Sequence, residues 1–298
     1  MNRAAARRSS VGLVGLGLLG SAIARRLGEG GHELVGHDLD ESRVRSLGVS
    51  WAPSAAEVAS AARRVLLCLP DSSVVEQVVE GEGGLLASPE PPELVLDTTT
   101  GDPRRSAALA KRLQARGVAY VEACVSGSSA DMLRGDAALL VGGAPRDVEA
   151  AQDILDSLSG VVYHLGDVAS GIKAKLASNL LLGLQRLALS EALVFGERLG
   201  LPPATLLEVL RAGPAYSRAI DAKGEKMVRS DFEPQARLSQ HLKDVGLILE
   251  EARRAGISLP LSHLHREILE EAVAQGLGER DNSAVIEALR RRMESSRG

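Results

Sequence analysis

The segment over residues 11–38 constrains the fold of this chain more than any other part of the sequence. It contains an apolar run, a glycine turn with the spacing GxGxxG, a helix-like stretch, a second apolar run and a terminal acid. This order predicts strand, turn, helix and strand. Gly15 would permit the tight turn, Gly17 would let a pyrophosphate approach the backbone, and Gly20 would let the helix pack closely. The flanking pattern therefore favours a dinucleotide-binding turn over an ordinary tight turn.

The acid that ends this segment indicates which dinucleotide is bound. Asp38 follows the predicted second strand, where a carboxylate can accept hydrogen bonds from both ribose hydroxyls of NAD and would repel the 2′-phosphate of NADP. Asp40 and Glu41 follow closely, and the first arginine after them is Arg43. We therefore expect NAD as the cofactor, with NADP disfavoured. The alternative is that Asp38 only caps the next helix.

Bulk composition excludes several classes of protein. The 298 residues are 45% hydrophobic but only 2% aromatic, so the cores must consist mainly of Leu, Val, Ala and Ile. The net charge of −4 argues against binding to nucleic acid. The two cysteines, Cys68 and Cys124, lie in apolar segments and are expected to be buried thiols. The six histidines show no metal-ligand spacing, so no metal site is expected.

The first ten residues do not have the pattern of a secretory signal. They read MNRAAARRSS, which is basic but lacks an apolar core. No stretch of the chain approaches the roughly 18 consecutive apolar residues of a membrane span. We therefore expect a cytoplasmic protein that makes no contact with a membrane.

Hydrophobic patterning divides the chain into two expected domains. Short apolar runs alternate with helix-like stretches over residues 1–165, which predicts a mostly parallel sheet with helices on both faces, a Rossmann-type dinucleotide-binding domain. Residues 166–298 are expected to form an all-α domain for substrate binding and dimerisation. A long helix over residues 169–200 would join the two domains, and it is apolar on several sides. We therefore expect a second subunit to cover part of it, in a homodimer or homotetramer.

Two further segments carry side chains suited to chemistry on a small substrate. The predicted turn over residues 126–129 offers hydroxyls and a flexible backbone that can wrap a carboxylate. Lys175 and Asn179 share one face of the long helix with Gly171, so both can reach the same small molecule. The alternatives are a structural turn and solvent-facing side chains. Lys173 lies on another face and is the better candidate for a solvated lysine.

Six ordered segments resemble motifs of the β-hydroxyacid dehydrogenase family, which includes 3-hydroxyisobutyrate dehydrogenase, and the resemblance covers residues 10–290. The segments are Gly15–Gly20, Leu69–Asp71, Asp97–Pro103, Glu122–Ser128, Gly171–Asn179 and Lys243–Val245. The resemblance implies an oxidoreductase that transfers a hydride between NAD and a small 3-hydroxyacid, similar to 3-hydroxyisobutyrate or a related semialdehyde or sugar acid. Four departures leave the substrate open: Cys124 for a proline, Ser128 and Asp131 for glycines, and Ser178 for an asparagine.

The resemblance also implies roles for individual residues. Lys175 would be the general acid/base and Asn179 its catalytic partner, while the substrate carboxylate would be held at Ser126, Gly127 and Ser128. The implied cofactor-binding residues are Gly15, Gly17, Leu18, Leu19, Gly20, Asp38, Leu69, Pro70, Thr100 and Lys243. The alternative for Lys243 is a helix lysine that pairs with nearby acids.

Two other functions compete with this one. The first is an imine reductase of the same architecture, and the second is a non-catalytic NAD-binding regulator. Imine reductases of this architecture typically lack the catalytic lysine. The presence of Lys175 and Asn179 therefore argues against both alternatives.

Overall fold

The computed structural model describes residues 10–295, and side chains are described as far as residue 293. The basic N-terminal segment, residues 1–10, lies outside the described residues except for Ser10. It is the segment that we expect not to be a secretory signal. The chain divides into two compact units, Met1–Lys175 and Leu176–Gly298. We call them the first unit and the second unit.

A single sheet forms the centre of the first unit. Its strands are β1 (Val11–Val14), β2 (Leu34–His37), β3 (Ser50–Trp51), β4 (Arg64–Leu67), β5 (Leu94–Asp97), β6 (Ala119–Ser126), β7 (Ala138–Gly142) and β8 (Val162–His164). Their spatial order is β3-β2-β1-β4-β5-β6-β7-β8. Every neighbouring pair is parallel except β6 and β7. The predicted mostly parallel sheet is confirmed.

Helices cover both faces of this sheet. They are α1 (Leu18–Glu29), α2 (Glu41–Ser46), α3 (Ala55–Ala61), α4 (Ser72–Glu80), α5 (Pro103–Gln114), α6 (Ser129–Arg134), α7 (Pro145–Ala150) and α8 (Gln152–Leu158). Because successive side chains of a strand point to opposite faces of the sheet, the strands contribute side chains to two separate hydrophobic cores. Leu66 belongs to one core and its neighbours Val65 and Leu67 belong to the other.

The second unit is helical, apart from one isolated bridge, within the described residues. Its helices are α9 (Ser170–Arg198), α10 (Pro203–Ala212), α11 (Arg218–Arg229), α12 (Leu238–Arg254), α13 (Pro260–Ala274) and α14 (Val285–Ser295). Helix α9 begins in the first unit and continues into the second, so the predicted long connecting helix is confirmed. Over the described residues no helix is long and apolar enough to cross a membrane.

Several elements differ from the sequence-based expectation. Strand β6 runs to Ser126, although the apolar run predicts only residues 118–121, because its second half pairs with β7. Helices α6 to α8, strand β8 and helix α11 were not individually predicted. Of the two cysteines expected to be buried, Cys124 is fully buried and Cys68 is only half-buried.

Candidate active site

In the glycine turn between β1 and α1, two of the three motif glycines have a steric reason within the chain itself. Gly15 has φ of +90°, which side chains disfavour, and a Cβ there would lie 2.3 Å from a backbone oxygen. A Cβ at Gly20 would lie 2.0 Å from the carbonyl oxygen of Gly15. At Gly17, by contrast, a Cβ would meet no atom within 4 Å. Helix α1 begins at Leu18 without a side-chain cap, so its first amides suit a phosphate.

Asp38 closes this turn from the end of β2. Its Oδ2 accepts a hydrogen bond from the Leu16 N–H at 2.6 Å, and its Oδ1 accepts one from the Asp40 N–H at 2.9 Å. Arg43 Nη1 lies 3.6 Å from Asp38, and Arg43 Nε lies 3.3 Å from Asp40. The helix-capping role that was the alternative for Asp38 is filled by Asp40, which accepts from the Ser42 N–H.

The carboxyl ends of β4 and β5 are tied together beside the glycine turn. The Leu69 N–H donates to Thr99 Oγ1 at 3.1 Å, and the Thr99 N–H donates to Asp97 Oδ1 at 2.9 Å. Asp97 also accepts from the Tyr120 hydroxyl at 2.7 Å. Burial raises the pKa of the Asp97 carboxyl. The predicted cofactor residue Leu69 therefore adjoins Gly15, and this network fixes the backbone that leads to Pro70 and Thr100.

The loop after β6 was expected to hold a substrate carboxylate. Ser126 is half-buried at the end of β6, Gly127 is exposed, and Ser128 is the N-cap of α6. The Ser128 N–H and Oγ both donate to the Asp131 carboxylate, at 2.7 and 2.6 Å. Among the described residues the hydroxyl of Ser126 has no hydrogen-bond partner.

The start of α9 is held by an acid that the sequence analysis did not single out as a site residue. Glu122 lies on β6 with none of its surface exposed, and its Oε1 accepts from the Gly171 N–H at 2.7 Å and the Ile172 N–H at 3.2 Å. Burial raises the pKa of Glu122 to about 7, although these backbone hydrogen bonds lower it. Because the first amides of a helix lack intrahelical acceptors, Glu122 fixes the turn that precedes Lys175.

Lys175 and Asn179 lie one turn apart on α9. Lys175 is half-buried, whereas Lys173 is exposed, as expected for a solvated lysine. Asn179 is buried, and its Nδ2 donates to Asp244 Oδ2 at 2.8 Å. The Nζ of Lys243 lies 2.8 Å from Asp244 Oδ1, which matches the alternative of a helix lysine paired with an acid. Asp244 thus connects Asn179 to Lys243 within the second unit.

The second unit also contains buried charged side chains that the sequence analysis did not identify. Lys223 Nζ lies 2.9 Å from both carboxylate oxygens of Asp281. Arg186 is only 4% exposed, and burial lowers its pKa to about 10 although Asp281 and Asp244 oppose this change. Within the part of the chain that the structure describes, Nε and Nη1 of Arg186 have no hydrogen-bond partner.

Within each unit, the structure brings some of the predicted residues together. Gly15–Gly20, Asp38 and Leu69 form one cluster in the first unit. Asn179 and Lys243 share Asp244 in the second unit. No cluster of three or more His, Cys, Asp or Glu side chains suited to a metal occurs among the described residues.

This fold and glycine turn define a dinucleotide-binding protein, and comparisons with known proteins identify its family. Residues 10–166 match the family described as the NAD binding domain of 6-phosphogluconate dehydrogenase. Residues 169–289 match the family described as NAD-binding of NADP-dependent 3-hydroxyisobutyrate dehydrogenase.

Individual relatives match over nearly their whole length. The 2-(hydroxymethyl)glutarate dehydrogenase of Eubacterium barkeri is 33% identical over 93% of each chain. The 2-hydroxy-3-oxopropionate reductase of Escherichia coli is 29% identical over 94% of this chain and 96% of the relative. The crystal structure of 3-hydroxyisobutyrate dehydrogenase from Salmonella typhimurium has a TM-score of 0.87 at 26% identity, covering 94% of this chain and 99% of that chain.

The chain belongs to the NAD(P)-dependent β-hydroxyacid dehydrogenase family. The predicted family, the predicted Rossmann-type and helical halves and the predicted hydroxyacid dehydrogenase function are confirmed. The imine reductase and regulator alternatives are not favoured. Binding of NAD(P) follows from the matched families.

Proposed function

We propose that this enzyme interconverts a small 3-hydroxyacid and its carbonyl form, that it prefers NAD, and that Lys175 is the general acid/base. The substrate would resemble 3-hydroxyisobutyrate or a related semialdehyde or sugar acid. The observation that carries the proposal is the pair formed by half-buried Lys175 and buried Asn179 on one face of α9. A lysine amine within hydrogen-bond reach of the reacting oxygen can take and return a proton there.

In this proposal each residue of the site has a separate role in the reaction. NAD(P), when bound, would supply or accept the hydride. Lys175 takes the hydroxyl proton during oxidation, returns a proton to the carbonyl oxygen during reduction, and stabilises negative charge on that oxygen. Asn179 donates or accepts a hydrogen bond at the substrate's hydroxyl or carboxylate, since Asp244 fixes the orientation of its amide. Ser126 and the backbone of Gly127 and Ser128 bind the carboxylate.

The preference for NAD rests on the charges around Asp38. A 2′-phosphate at the end of β2 would approach the carboxylates of Asp38 and Asp40. Arg43 is the nearest cation in sequence, but it lies within 3.6 Å of both acids, which partly neutralise it. A ribose with a free 2′-hydroxyl would instead donate a hydrogen bond to Asp38. We expect the nucleotide to engage Gly15, Gly17, Leu18, Leu19, Gly20, Leu69, Pro70, Thr100 and Lys243 as well.

We also propose that residues 1–165 bind the cofactor and that residues 166–298 serve substrate binding and association into a homodimer or homotetramer. Helix α9 supports the second part, because two large apolar side chains on it, Leu181 and Phe195, are 58% and 60% exposed in the single chain. Because they are 14 residues apart, close to four helical turns, Leu181 and Phe195 lie on nearly the same side of α9, so both can face a second subunit.

Substitution of Lys175 tests the mechanism. Lys175→Ala should lower kcat by about two to four decades, the usual contribution of a general acid or base, while NAD affinity stays nearly unchanged. The assay follows the absorbance of reduced nicotinamide with 3-hydroxyisobutyrate, glycerate, threonate, tartronate semialdehyde, glyoxylate and succinic semialdehyde, each with NAD and with NADP.

Lys173→Ala is the matched control, because Lys173 is exposed on a different face of the same helix. It should leave turnover close to that of the unmodified enzyme. If Lys175→Ala retains most of the turnover on the best substrate, the assignment of Lys175 is wrong.

A further inference from the structure

The loop between β6 and α6 contains a carboxylate of the chain itself at the place proposed for the substrate carboxylate. Asp131 is the third residue of α6, and Ser128 is the N-cap. One oxygen of Asp131 accepts hydrogen bonds from both the N–H and the Oγ of Ser128, at 2.7 and 2.6 Å. The other oxygen pairs with Arg134. Two of the donors expected to hold a substrate anion are therefore already engaged.

Asp131 also places negative charge beside the remaining donors of the loop. Its side chain is 29% exposed, so the carboxylate is accessible from solvent. Gly127 lies between Ser126 and Ser128, and a Cβ placed there would come within 3.1 Å of the Asp131 Cβ. A carboxylate accepts hydrogen bonds and repels other anions. The neighbourhood of Ser128 thus favours a hydroxyl and disfavours a second anionic group.

We propose that Asp131 determines substrate specificity: it selects hydroxylated monocarboxylates, which donate a hydroxyl to Asp131, over dicarboxylates and other substrates with a second anion. This inference rests on the proposed function, in which the substrate's first carboxylate is bound at Ser126 and Gly127. It assigns to Asp131 the role of an electrostatic filter in addition to its role in capping α6.

The test compares binding of two acids before and after removal of the charge. Threonate represents the hydroxylated monocarboxylates and 2-(hydroxymethyl)glutarate the dicarboxylates. Calorimetry on the NAD-loaded Lys175→Ala variant gives both dissociation constants without turnover. Asp131→Asn preserves the size of the side chain and removes the repulsion between juxtaposed like charges. It should improve the affinity for the dicarboxylate relative to threonate by about tenfold to hundredfold.

Asp136→Asn is the matched control, because Asp136 pairs with the same arginine at 2.8 Å but does not contact Ser128. It should leave the ratio of the two dissociation constants unchanged. Asp131→Gly provides a second variant in case Asn disturbs the cap, and it should change the ratio in the same direction as Asp131→Asn.

Two results would overturn the proposal: a ratio that stays constant in both Asp131 variants, or no binding of either acid in any variant. Failure of the proposed function would look different. In that case the unmodified enzyme would turn over none of the hydroxyacids with either cofactor, whatever the binding ratio in the variants.

Discussion

Neutralising Glu122 should change how the stability of the first unit depends on pH. The carboxyl is fully buried, and its pKa is raised from 4.5 to about 7, mainly by burial. The folded protein therefore binds a proton between these pH values that the unfolded chain has released. By linkage, the free energy of unfolding falls as pH rises from about 4.5 to 7 and then levels off. At about 1.4 kcal/mol per pKa unit, the loss is about 3 kcal/mol.

Glu122→Gln removes this titration while keeping the size of the side chain and a carbonyl oxygen that can accept from Gly171 and Ile172. We expect the variant to gain about 3 kcal/mol in unfolding free energy relative to the unmodified protein between pH 4.5 and pH 8. Asp97 is present in both proteins, and Tyr120 stays protonated over this pH range because burial raises its pKa well above 10.

Urea unfolding followed by tryptophan fluorescence measures this difference. Trp51 is the single tryptophan of the chain and lies on β3, so it reports unfolding of the first unit. Glu149→Gln makes the same chemical change at an exposed position on α7 and should leave the pH dependence unaltered. If the curves for Glu122→Gln and the unmodified protein run parallel from pH 4.5 to 8, the buried-acid reasoning is wrong.

Three further outcomes are expected. Asp38→Ala should raise the ratio of kcat/KM for NADP over NAD, because it removes a repulsive charge and releases Arg43. This gain should largely disappear when Arg43→Ala is added. An unmodified enzyme that prefers NADP would contradict the proposed preference. Lys223→Ala should lower the unfolding free energy by about 3–5 kcal/mol because it leaves the buried Asp281 charge uncompensated. Lys226→Ala disrupts an ion pair with an exposed aspartate and should lower the unfolding free energy by only about 0–1 kcal/mol. Equal losses for the two variants in urea unfolding would refute this difference between a buried and an exposed ion pair. Light scattering should give a dimer or tetramer of the 31.3 kDa chain, and a monomer mass at every concentration would exclude the proposed assembly.

The sequence predicted those helices and strands whose signal lies within one continuous stretch of the chain. The apolar run and glycine spacing around Gly15–Gly20 located β1, the turn and α1, because steric demands of the turn leave few other residue choices. The absence of a cluster of turn residues over 169–200, which has only isolated glycines, located α9. Both signals are short-range, so a single sequence displays them.

Elements that depend on distant partners were not predictable in the same way. The second half of β6 is extended because it pairs antiparallel with β7, and β8 has only three residues and is largely exposed. Helix α11 is strongly polar along its sequence, and its buried Lys223 is stabilised by Asp281, 58 residues away.

The residues of the candidate site also differ in whether a local sequence signal predicts them. Helical spacing predicted that Lys175 and Asn179 share one face of the long helix, and the family resemblance implied their roles. Glu122 accepts hydrogen bonds from the amides of Gly171 and Ile172, 49 and 50 residues further along the chain. A contact at this separation in sequence could not be predicted from the local pattern. Asp131 was recognised as a departure, but the sequence did not show that its carboxylate would bind Ser128, since that depends on the exact start of α6.

The hydrogen bond from the Leu16 N–H to Asp38 has a consequence for how cofactor preference can evolve. Because the same carboxylate holds the glycine turn closed and repels a 2′-phosphate, one substitution alters both the fold of the turn and the choice of nucleotide. A lineage that exchanges Asp38 for a neutral or basic residue would lose a charge-assisted hydrogen bond worth about 1.5–3 kcal/mol. Changes of cofactor in this enzyme should therefore require an earlier or simultaneous stabilising substitution elsewhere in the first unit.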